Sequence, residues 1–114
     1  MIAVIFEVVP QPSRQQEYLD AAAQLRPQLE AMDGFVSIER FASLTQSGKM
    51  LSLSFWRDEA AVLAWRISPL HRHFQAQGRA GLFDDYRLRV AAMMRDYGLV
   101  ERADAPDDSR QAHR

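Results

Sequence analysis

The chain has 114 residues, 47% hydrophobic and 25% charged, with a formal net charge of −1 and a pI near 6.3. That length suits one domain around a single core, and the near-neutral balance offers no basic footprint for nucleic acid or an anionic membrane. Cysteine is missing from the chain, which excludes disulfides, thiolate catalysis and Cys-ligated metal centres and suits a reducing cytoplasm.

The opening Met1–Phe6 run has no basic residues before it and is broken at Glu7. It is far shorter than the roughly 20 residues a membrane span needs, so a cytoplasmic protein without membrane attachment is expected. Ile2–Val9, rich in β-branched residues and closed by Pro10 and Pro12, predicts a first strand. Ser13 with Gln16 forms a capping-box pattern. Tyr18, Ala21, Ala22, Leu25, Leu29 and Met32 then recur at helical spacing, so a helix is expected over Ser13–Met32, bent or losing its last turn at Pro27.

Asp33-Gly34 is a helix stop. Phe35–Leu44 and Met50–Trp56 read as strands joined by the hairpin loop Thr45–Lys49. Asp58 is a good N-cap for a helix over Glu59–Ile67, and Ser68-Pro69 starts another over Pro69–Gln77, closing near Gly78 or Gly81. Alternation over Asp85–Arg95 predicts a long last strand. Residues 101–114, polar and Asp-rich, read as a frayed tail outside a domain of residues 1–100.

The order β-α-β-β-α-β is the ferredoxin-like arrangement, an α+β fold with helices on one face of an antiparallel sheet. Both alternating sets of the first strand are mostly apolar (Ile2, Val4, Phe6, Val8 and Ala3, Ile5, Glu7, Val9), and Met50–Trp56 shows apolar or small residues on each side. A sheet with one face in water would carry charge there. A homodimer with C2 symmetry, packed face to face, is the simplest cover; a monomer with an open apolar groove is the other reading.

The chemistry-bearing stretch is Trp65–Arg79, with two histidines, three glutamine or tryptophan side chains beside them and flanking arginines. His71 and His73 are two apart and point to different sides of a helix, so they do not share a metal. His71 lies on the side of Phe74, Gln75 and Gly78, in the first turn, where the positive helix end favours a neutral ring. It reads either as a general base or as a hydrogen-bonded structural histidine; His73 reads as solvent-facing. Trp56 and Trp65 offer flat apolar walls for an aromatic ligand or simply fill core. Glu7, a carboxylate in an apolar strand, is either an acid/base group with a raised pKa or half of an ion pair with Arg87 or Arg89. Arg79, Tyr86, Arg87 and Arg89 either hold an anionic ligand oxygen or bridge to a second subunit. No metal-ligand cluster, phosphate-cradling loop or Ser-His-Asp pattern is present.

Leu53-Ser54-Phe55-Trp56, Asp58–Trp65, Ser68-Pro69-Leu70-His71, Gln75-x-x-Gly78-Arg79 and Tyr86–Ala91, with the Asp33-Gly34-Phe35 step, resemble the antibiotic biosynthesis monooxygenase (ABM) family over about residues 1–100. The resemblance implies a dimeric α+β barrel. It also implies a cofactor-independent monooxygenase acting on an aromatic or quinone-like molecule, with His71 as base and Trp56, Trp65, Phe74, Gln75, Arg79 and Tyr86 around the ligand. A non-catalytic ligand-binding barrel fits the same fold. The family's haem-degrading branch is similar around Trp65, but its axial histidine falls at Gln75 and its first-strand asparagine near Glu7. Glutamine is a poor haem ligand and a carboxylate no amide donor, which argues against haem.

Overall fold

The computed structural model describes residues 1–113. Its elements are β1 (Ile2–Pro10), α1 (Gln15–Glu30), β2 (Phe35–Ala42), β3 (Met50–Trp56), α2 (Glu59–Arg66), α3 (Pro69–Gln77), β4 (Phe83–Ala92) and a short α4 (Asp107–Ala112). The four strands form one antiparallel sheet in the order β2-β3-β1-β4, which is the expected α+β, ferredoxin-like arrangement.

The helical face of the sheet follows from strand alternation. Val8 packs with Tyr18 and Leu82 at one end, and Trp56 with Leu29 and Ala61 at the other, so the core is split into two buried clusters. In α1, Tyr18, Ala22, Leu25 and Leu29 are the buried stripe, at spacings of four, three and four residues that keep them on one side. The register of β2 on β3, β3 on β1 and β1 on β4 aligns two rows across the sheet between these clusters: Arg40–Ser52–Phe6–Leu88 and Ile38–Ser54–Val4–Val90. Serine stands in the central strand of each row. Its side chain is too short to reach the helices, so the clusters do not merge and a hollow is left between them.

Several local expectations are corrected. The Ser13–Gln16 capping box does not form: Gln11 accepts the Ser13 amide at 2.9 Å, Pro12–Arg14 makes one tight 3₁₀ turn, and α1 begins at Gln15. Pro12 has no N–H to lose in a first turn, so helical geometry starts ahead of Ser13, and Gln16 instead donates to Asp20 at 2.9 Å. The last turn of α1 stays in place beyond Pro27. Both Pro27 and Ala23, whose carbonyl the proline cannot bond, are exposed and open to water.

The second strand stops at Ala42, because Ser43 Oγ accepts the amides of Thr45 and Gln46 at 3.3 and 3.0 Å and turns the chain. The last strand begins at Phe83 and ends at Ala92 rather than spanning Asp85–Arg95. Within residues 101–113, read from sequence as a frayed tail, Ala105 is buried and Arg110 donates to the carbonyls of Ala103 and Ala105 beside α4. Arg114, the end of that expected tail, lies outside the described residues.

The opposite face carries Ile5, Leu51, Leu53 and Phe55, all half-buried. Charged groups share this face: Glu39, Arg87 and Arg89 stand in its outer strands, and in β1 Glu7 Oε2 meets Arg89 Nη1 at 3.1 Å and Lys49 Nζ at 3.8 Å. Gly34 holds the tight passage from α1 into β2. Its φ is +85°, and a Cβ there would fall 2.6 Å from that of Ala61, so neither the turn nor the approach of α2 tolerates a side chain.

Candidate functional site

The hollow between sheet and helices is a cavity of about 460 Å³. The two serine-centred rows form its floor, and the buried stripe of α1 forms its roof. Trp65 from α2 and His71, Phe74 and Gln75 from α3 form one wall. Along β4 the mouth is open: Tyr86, Leu88 and Val90 are 43%, 52% and 50% exposed.

Ser68 and Pro69 place His71. Ser68 Oγ accepts the His71 amide at 3.4 Å and Pro69 occupies the first helical position. The imidazole then lies flat against the Trp65 indole, with centroids 4.7 Å apart and an interplanar angle of 25°. Its Nδ1 is 3.2 Å from Gln75 Nε2, one helical turn on. With the amide in this orientation Nδ1 accepts. With the amide turned over, which only exchanges N and O, Nδ1 donates and Nε2 keeps its lone pair. Burial pushes the His71 pKa below the ordinary 6.5, the Arg66 carbonyl opposes that, and the charge of Arg72 lowers it further. The ring is therefore neutral at pH 7 and able to take a proton.

Trp56 is 1% exposed and fixed on both sides, donating Nε1–H to Ser54 Oγ at 2.9 Å and meeting Phe35 edge-on at 5.4 Å. Phe74 stacks on Tyr18 with centroids 6.1 Å apart. Arg79 donates to the Tyr86 hydroxyl at 3.2 Å at the rim. His71, Trp56, Trp65, Phe74, Gln75, Arg79 and Tyr86, the residues singled out from sequence, all line this cavity.

Glu7 does not. Alternation puts it on the far face of the sheet, with Arg87 and Arg89, and its carboxyl pKa is lowered by the Arg89 hydrogen bond and the Lys49 charge instead of being raised. The ion-pair reading is the one its geometry carries, and the acid/base role is withdrawn. His73 is exposed, as expected.

Sequence reasoning missed Tyr18 and Arg40, which line the cavity and carry buried polar atoms, Tyr18 Oη and Arg40 Nε, with no hydrogen-bond partner among the described residues. The signal was available for Arg40. It shares the parity of Ile38 in β2, so the strand that buries Ile38 against the helices must turn Arg40 the same way. Among the described residues no group of three or more His, Cys, Asp or Glu stands where it could hold a metal ion, and no helix is long and apolar enough to cross a membrane.

The antibiotic biosynthesis monooxygenase family matches residues 1–77. The jasmonate monooxygenase ABM of Pyricularia oryzae is 50% identical over 90 residues, which cover 79% of this chain and 42% of that protein. The chain thus spans about two-fifths of the length of this relative. In structure, Rv0793 from Mycobacterium tuberculosis superimposes with a TM-score of 0.75 at 22% identity, over 85% of this chain and 98% of the other. A Deinococcus radiodurans protein that carries the family's name reaches 0.77 at 11% identity, over 86% and 97%. At those identities the two structures speak for the fold alone. The family likeness across two-thirds of the residues and the α+β sheet with its helix-roofed hollow agree: this chain belongs to the antibiotic biosynthesis monooxygenase family.

Proposed function

We propose that the chain is a monooxygenase that works without a resident cofactor on a small aromatic or quinone-like molecule bound in the cavity, with His71 as the base. The observation that carries this reading is the placement of His71, its imidazole held flat by Trp65, steered by Gln75 and set in the wall of an apolar cavity. In the turned-over orientation of the Gln75 amide, Nε2 takes a proton from an activated carbon or a phenol of the substrate. The electron-rich anion then passes an electron to O2. A ring carbon bearing two hydrogens becomes a carbonyl, and the second oxygen atom leaves as water. Both electron pairs come from the two C–H bonds, so no external reductant is needed. Trp56, Trp65 and Phe74 exclude water from the reacting anion.

Haem chemistry is disfavoured by the donor set. By resemblance the axial position falls at Gln75, whose amide is a poor iron ligand and is already engaged with His71.

A homodimer is part of the proposal. The sheet face with Ile5, Leu51, Leu53 and Phe55 is only half-buried, and the segment after β4 carries Met94, Leu99 and Val100 at 84%, 96% and 86% exposure. A second copy would cover both.

The test is oxygen uptake with a panel of anthrones and hydroquinones, extended to jasmonate because of the fungal relative's name, for wild type and His71→Gln. Uptake above autoxidation that the variant loses supports the reading. Tight ligand binding with no uptake from any compound would leave a non-catalytic barrel.

A further inference from the structure

The cavity is apolar over most of its surface, yet it is ringed by Arg26, Arg40, Arg66, Arg72 and Arg79 and has no aspartate or glutamate in its lining. Three of these cations already have partners: Arg26 is bound by Glu30 at 2.7 Å, Arg79 donates to Tyr86 at 3.2 Å, and Arg72 reaches Gln75 at 3.5 Å. Arg66 is exposed. Arg40 differs from all four. It rises from the floor of the cavity beside Ser52 and in line with Phe6, and its Nε is buried without a partner.

The second such atom is the hydroxyl of Tyr18, a residue 1% exposed that lines the same cavity and belongs to the buried cluster against which Phe6 packs. Two buried donors left unmatched within one lining are costly to the free protein, and a ligand group that accepts from both would repay that cost.

We propose that the site takes an amphipathic monocarboxylate, its carboxylate gripped by Arg40 and the Tyr18 hydroxyl and its apolar ring or chain laid along Trp65 and Phe74. The inference rests on the functional reading above and names its substrate class. A carboxylate is favoured over a phenolate by geometry. The free edge of Arg40 includes Nε, and Nε with one Nη presents two parallel N–H groups to two oxygens. A phenolate has one oxygen and would leave one of them unmatched. The small Ser52 beside Arg40 leaves room for the carboxylate in the floor.

The experiment is calorimetric binding at pH 7.5 of 1-naphthylacetate and of its uncharged methyl ester, to wild type, Arg40→Gln and Tyr18→Phe. The acid is expected to bind wild type at least tenfold more tightly than the ester. Arg40→Gln should abolish that preference, and a cooperative urea transition with an unchanged slope shows that the variant is folded. Tyr18→Phe should weaken the acid several-fold and the ester little. Equal binding of acid and ester, failure of both to bind at millimolar concentration, or a preference that survives Arg40→Gln each overturns the proposal. Because the readout is binding, a protein that discriminates acid from ester but consumes no oxygen would retain this inference and lose the monooxygenase reading. Turnover without discrimination would do the reverse.

Discussion

Gly78→Ala sets two opposite effects against each other at the edge of the cavity, and their magnitudes decide the sign. Gly78 is buried, with φ −58° and ψ −48°, ordinary helical values that alanine adopts without strain. On backbone grounds alone the substitution should therefore stabilise by about 0.5–1 kcal/mol. A Cβ at this position, however, would lie 2.4 Å from Cε2 and 2.7 Å from Cδ2 of Phe83. Carbon contacts are comfortable at about 3.5–4.0 Å, so the ring must retreat by on the order of 1 Å.

It has nowhere easy to go, being packed edge-on or tilted against Tyr18 at 5.5 Å, Phe6 at 5.8 Å, Tyr86 at 6.1 Å and Phe74 at 6.2 Å. Overpacking of this kind costs about 1–3 kcal/mol. Steric cost wins, and a net loss of about 1–2 kcal/mol is expected, or roughly 4–8 °C in Tm for a domain of this size. Urea unfolding would measure it as a lower midpoint at unchanged slope. In a Phe83→Leu background the penalty should largely vanish, giving a coupling of about 1 kcal/mol in the double-mutant cycle. A Gly78→Ala protein as stable as wild type, or more so, would refute the packing described for this end of the cavity.

His71→Gln should lower kcat/KM by about 10²–10⁴. In wild type the rate should fall on the acid side with an apparent pKa below 6.5, because protonation removes the base and burial holds that pKa down; an acid limb that breaks above pH 6.5 would contradict the assignment. Glu7→Gln should leave turnover unchanged, since Glu7 is on the other face of the sheet. Its lowered folded pKa means that the stabilisation from Arg89 and Lys49 is complete above the ordinary carboxyl value of 4.5 and is lost as the pH falls through the folded value. The variant should lack that part of the acid dependence of Tm. Leu53→Arg, on the half-buried far face, should convert a sedimenting dimer to monomer and lower Tm; wild type sedimenting as a monomer would remove the dimer instead.

The elements were legible from the sequence because each depends on local pattern. The spacing of Tyr18, Ala22, Leu25 and Leu29 specifies a helix with one buried stripe. Asp58 and Ser68-Pro69 mark helix starts that the structure keeps, Asp58 capping the Ala61 amide at 2.9 Å. Where two local signals competed, as at Pro12 and Ser13, the proline's restricted geometry set the start and the capping box was lost. The wall around His71 could also be read ahead, since residues three and four apart on one helix must face the same way.

What the sequence could not decide was which side of the sheet each strand residue faces, because β1 is apolar on both of its alternating sets and one parity is as plausible as the other. Register settled it. Pairing Arg40 with Ser52 and Ser52 with Phe6 put an arginine into the cavity floor, and pairing Glu7 across from Arg87 sent the one carboxylate of β1 to the far side. Neighbours brought together from distant parts of the chain, not the residues' own character, left the Arg40 Nε and the Tyr18 hydroxyl without partners. Such unmatched donors exist only once tertiary packing has removed the water that would otherwise serve them.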